Sequence, residues 1–181
     1  MPTQINGLPA HALLVHAVVV LLPVASLLVI FAAWWPAARR RLGLATPILA
    51  LASLALVPVT THAGQWLLDK LPKTALNQRH ADLGRGLLIW AIGLGVFGVV
   101  VYALGFVSDR QAAQVGSAQR VSVGAGAAAE TQPAPAAPAR SPMLAITLVV
   151  AVLATVVSVG TIVQVVRIGD SGAKAVWSGV K

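Results

Sequence analysis

Residues Pro9 to Trp35 read PAHALLVHAVVVLLPVASLLVIFAAWW, an apolar run without Asp, Glu, Lys or Arg. A helix needs roughly 20 such residues, at about 1.5 Å each, to cross the hydrocarbon core of a bilayer. The stretch therefore predicts a membrane span, with Pro9 suited to its first turn, where a missing N–H leaves nothing unpaired. Two histidines, His11 and His16, stand near its first end, and Trp34, Trp35, Pro36 and the triplet Arg39-Arg40-Arg41 follow the other. Tryptophan and arginine in that position mark a membrane interface, so the imidazoles at the opposite end are what needs explaining. The residues ahead of the run carry no positive charge, whereas a secretory signal needs a basic leading segment; the span is expected to be retained.

Composition points the same way along the whole chain. Hydrophobic residues make up 57% and charged residues 10% of the 181 positions, against about 25% charged in soluble globular proteins. An integral membrane protein follows. The absence of cysteine excludes disulfides, thiolate metal sites, iron–sulfur ligation and c-type haem attachment, and leaves His, Asp and Glu as the strong ligands. The net charge of +8 does not indicate nucleic acid, because the basic residues lie scattered in short segments between apolar runs.

A second span is predicted over 42–68, where Thr46, Ser53 and Thr60 recur every seven residues and give one helix face a small, hydroxylated seam. A short polar connection with Pro72 leads to a third span over 80–107, in which Gly84, Ala91, Gly98 and Gly105 form another seven-residue stripe. His80 lies one turn ahead of Gly84 on that stripe and is expected to point into the bundle. Residues 108–141 shift to Ala, Gln, Gly and Pro and predict a flexible linker. A fourth span is predicted over 142–166, with Thr147, Ala151, Ala154, Ser158 and Thr161 on one seam, then an interfacial tail over 167–181. The fold class is all-α: a membrane four-helix bundle with an Ala/Pro-rich linker between spans three and four.

Four crossings bring His11, His16, His62 and His80 to one membrane side, together with Asp69, Asp82 and Asp170, three of the five acidic residues. One reading makes these side chains partners of loop backbone and headgroups, in a protein that serves as subunit or partner of a membrane complex. A second is an electron-transfer protein with a bis-histidine haem b, His16 or His62 facing His80 and Gly84 making room for the porphyrin. A third is a divalent metal site using His11, His16, His62 and His80, with support from Asp69 or Asp82. His11 and His16 are about 140° apart on a helix, so ligands must converge from different helices. Solute transport is the weakest reading, since the middle of every span is uncharged. Gly93-Leu94-Gly95-Val96-Phe97-Gly98 spells a dinucleotide fingerprint, but inside a membrane helix. The chain shows no stand-alone enzyme signature.

The segments Gly7-Leu8-Pro9-Ala10-His11-Ala12-Leu13-Leu14-Val15-His16, Thr61-His62-Ala63-Gly64-Gln65-Trp66-Leu67, Arg79-His80-Ala81-Asp82-Leu83-Gly84 and Gly169-Asp170-Ser171-Gly172 through Trp177 resemble the bacterial domain of unknown function 2231 family, in an actinobacterial style. The resemblance covers all but the linker and implies a small multi-span membrane protein without an established activity. Relatives fused to Rieske or cytochrome c domains imply a respiratory redox partner. Ala12, where many relatives have proline, and Asp170, where some have histidine, depart from the family pattern. Lys and Arg divide six and seven between the two sides, which decides nothing. The arginine triplet in the tightest loop favours that loop being cytoplasmic. The expected location is the plasma membrane, with the histidines and both termini outside.

Overall fold

The computed structural model describes residues 4, 5, 7–124 and 142–177. A two-residue antiparallel pair, β1 (Gln4–Ile5) with β2 (Leu8–Pro9), turns at Gly7 with φ +78° and delivers the chain to the first helix. The helices are α1 (Ala10–Trp34), α2 (Pro36–Leu42), α3 (Ala45–Leu68), α4 (Ala75–Gly124) and α5 (Pro142–Trp177). α1, α3, α4 and α5 are each long and apolar enough to cross a membrane. Only 22–33% of the most apolar window of each is buried within the chain, so most of this apolar surface faces outward. That is the arrangement of a bundle solvated by lipid.

The four long helices pack in the ring order α1, α3, α4, α5, and α1 also meets α4 across the diagonal. The core runs down the middle from Val18, Leu22 and Val29 of α1 through Val57 of α3 and Leu94 of α4 to Ala154 of α5. The predicted seams face this core: Thr46, Ser53 and Thr60 of α3, Ala91, Gly98 and Gly105 of α4, and Ala151, Ala154, Ser158 and Thr161 of α5 are buried, while Gly84 and Thr147, at the seam ends, are half-buried. Their hydroxyls act mainly through small size. Ser53, Thr60 and Thr161 donate to carbonyls one turn back on their own helices, as serine and threonine do in membrane helices. Thr161 Oγ1 also lies 3.5 Å from the Trp90 carbonyl of α4, and larger groups bridge helices as well, Trp34 Nε1 donating to Thr155 Oγ1 at 2.8 Å and Gln164 Nε2 to the Leu83 carbonyl at 2.9 Å.

Three boundaries differ from those expected. The residues between the first two spans form a separate short helix, α2, because Pro36 occupies its first position and Gly43, at φ +48°, ends it. α4 begins at Ala75 and continues to Gly124, beyond the Ser108 at which composition predicts a linker. Ala, Gln and Arg in that stretch are strong helix formers and extend a helix already nucleated in the bundle. The rest of the predicted linker, 125–141, lies outside the described residues. α5 likewise runs through the expected tail to Trp177, with Val176 and Trp177 exposed, and 178–181 lie outside the described residues.

Candidate functional site

The start of α1, the end of α3, the start of α4 and the end of α5 meet at one end of the bundle. His11 enters from α1 and His80 from α4, with ring centroids 6.4 Å apart and planes at 81°. Each ring is held by its Nδ1 atom. His11 Nδ1 lies 3.0 Å from the Thr60 carbonyl oxygen of α3. A carbonyl only accepts, so Nδ1 carries the proton. His80 Nδ1 lies 3.0 Å from Ser171 Oγ of α5, and that hydroxyl gives its own proton to the Ile168 carbonyl at 2.8 Å. Ser171 therefore accepts, and His80 too is protonated on Nδ1.

In the neutral state both imidazoles thus leave Nε2 unprotonated. A histidine that donates one ring N–H to a carbonyl or hydroxyl and leaves the other nitrogen bare is in the tautomer that metal-ligating histidines adopt. The seats are tight. A Cβ placed on Gly64 would stand 2.9 Å from two atoms of the His11 ring, and one on Gly172 would stand 3.0 Å from His80 Cε1. Glycine at both positions lets each ring lie against a neighbouring backbone.

Two small cavities flank the pair. One, of about 90 Å³, is lined by His11 and His80 with Gln65, Asn77 and Gly84; the other, about 50 Å³, lies toward Val15, Val57 and Leu87. Gly84 borders both, and a Cβ there would meet nothing within 4 Å. Gly84→Ala is accordingly expected to raise stability by ~0.5–1 kcal/mol through lower chain entropy in the unfolded state, read as a later midpoint in detergent–SDS unfolding. Ligand pockets of drug size take ~300–1,000 Å³. The two cavities are smaller than that, of a size for an ion or a few waters.

The other expected ligands lie elsewhere. His16 is exposed and its Nδ1 lies 2.6 Å from the Ala12 carbonyl of its own helix. With His11 turned inward, a position about 140° round α1 faces out. His62 is also exposed, two residues beyond the buried Thr60 and about 200° round α3. Asp69 is exposed, and Asp82 pairs with Arg85 on its own helix face. Among the described residues no three His, Asp or Glu side chains gather closely enough to hold a metal. The structure brings His11 beside His80 and leaves His16 and His62 on outward faces of their helices.

Sequence reasoning missed Ser171, Gly64 and Gly172 as parts of the site. The available signal was the small–hydroxyl–small step Gly169 to Gly172, whose partner lies 91 residues earlier in the chain. No family model, curated protein or solved structure matches this chain.

Proposed function

We propose that this chain is a membrane-embedded subunit or partner of a larger membrane assembly that binds one metal ion through the Nε2 atoms of His11 and His80. The observation that carries the reading is the commitment of both Nδ1 atoms to acceptors on separate helices, which leaves an unprotonated Nε2 on each of two rings whose centroids stand 6.4 Å apart. Imidazole nitrogen suits zinc, copper, iron and nickel, and two protein ligands leave coordination positions open. Water or a residue of a partner chain completes such a site, which favours the subunit role over a self-contained carrier.

The resemblance to the domain of unknown function 2231 family agrees with a small multi-span partner protein, and a respiratory redox complex is the assembly it suggests. Arg39, Arg40 and Arg41, concentrated at the other end of the bundle, favour a cytoplasmic location for that end. The histidine end then faces outward from the plasma membrane.

The test uses the full chain, purified in detergent and stripped with a chelator. Titration with Zn(II), and with Cu(I) under reducing conditions, is expected to give one bound ion per chain by elemental analysis after desalting. No retention of either ion above a detergent blank overturns the metal reading. A Soret band in the untreated protein that disappears in His80→Ala overturns it in favour of haem.

A further inference from the structure

We infer that a second site, on the outer side of the Ser171 wall, holds the phosphate of an anionic lipid headgroup. A cleft of about 260 Å³ opens between the first turns of α4 and the last turns of α5, lined by Arg79, Arg167, Lys174 and Asp170 with Leu76 and Leu83. Lys174 is neutralised by Asp170 at 2.8 Å. Arg79 and Arg167 form no ion pair among the described residues, yet both line the same cleft. Two like charges brought together repel unless an anion lies between them, and guanidinium is the side chain best matched to phosphate, by paired parallel N–H donors.

The depth of the cleft identifies the source of the phosphate. Arg79 is one turn outside Leu83, and Arg167 directly follows Val166, so both stand where the apolar faces of their helices end. Val163 and Val166, on the bundle side of Arg167, are exposed on the lipid-facing surface of α5. A headgroup phosphate sits at this level, with its glycerol and chains continuing past Leu83 along the apolar exterior. The inference is independent of the metal reading, since neither guanidinium is a ligand in it.

The experiment is native mass spectrometry of the full chain released from micelles containing equal amounts of phosphatidylglycerol and phosphatidylcholine. One phosphatidylglycerol is expected to stay bound in preference to phosphatidylcholine. Arg79→Gln combined with Arg167→Gln is expected to reduce that retention about tenfold, and Lys174→Gln less. Arg40→Gln with Arg41→Gln removes the same charge at the opposite end and is expected to leave retention unchanged. Helical circular dichroism of each variant confirms the fold. Equal losses in the two double variants would overturn the site, as charge alone would then explain binding. Displacement of the lipid by millimolar inorganic phosphate would overturn the headgroup assignment.

Discussion

Replacing His80 with alanine is expected to bring ion binding below detection, while Ser171→Ala, which touches no ligand atom, weakens it by ~10–100-fold. The two losses have different causes. His80→Ala removes one of the two imidazoles that meet at the site among the described residues, and a single imidazole does not retain an ion through desalting. Ser171→Ala keeps Nε2 but removes the acceptor that fixes the Nδ1–H tautomer, so the ring both rotates and loses basicity. His11 has no equivalent side-chain variant, because its acceptor is the Thr60 carbonyl. His16→Ala and His62→Ala serve as controls and are expected to bind normally, both being exposed and away from the pair. Isothermal titration of Zn(II) into each chelator-stripped variant measures the order. Wild-type affinity in His80→Ala would remove the site, and equal losses for His16→Ala and His80→Ala would show that bulk histidine content, and not this pair, collects the ion.

How much of this arrangement was legible depends on whether a feature is set within one helix or between two. The spans follow from local apolar runs, and the seams of α3, α4 and α5 follow from seven-residue spacing, because a small-residue face has no stable place except against another helix. His80 was legible for the same reason, being in register with Gly84, Ala91 and Gly98. The choice between His11 and His16 was not. They lie on different faces of an α1 that is apolar all round, and what turns His11 inward is the Thr60 carbonyl and the vacancy at Gly64, both on α3. The extension of α4 to Gly124 was missed because alanine- and glutamine-rich sequence is compatible with a solvated coil as well as with a helix. An existing helix end decides between the two.

The contact between α4 and α5 that brings Ser171 to His80 leads to the largest expected loss of stability. Trp90 of α4 lies over Gly160 of α5, such that a Cβ at Gly160 would overlap carbons of the indole ring. Farther along, Val157 of α5 fills the space at Gly93 of α4, where an added Cβ would stand 2.9 Å from its Cγ1. A large residue from each helix thus fits a glycine on the other, and the pairs His80 with Ser171, Trp90 with Gly160 and Gly93 with Val157 run in opposite directions along the two helices, as an antiparallel packing requires. Gly160→Ala is expected to destabilise by ~1–3 kcal/mol, the usual cost of overpacking, and Gly160→Leu by more, because a ring with two torsions has little freedom to withdraw. Trp90→Ala alone empties the seat on Gly160 and is expected to cost less than the ~3–5 kcal/mol of a fully buried tryptophan, the indole being half-buried. Combined with Gly160→Leu it is expected to recover part of both losses, with a coupling of ~0.5–3 kcal/mol, since the new leucine enters the space the indole vacates. Detergent–SDS unfolding of the four proteins gives the cycle. Strict additivity, or a Gly160→Leu chain as stable as wild type, would mean that α4 and α5 do not meet in this register. If they do, Gly160→Leu should also weaken ion binding from roughly ten residues away, about 15 Å along α4, because displacing α5 carries Ser171 off His80.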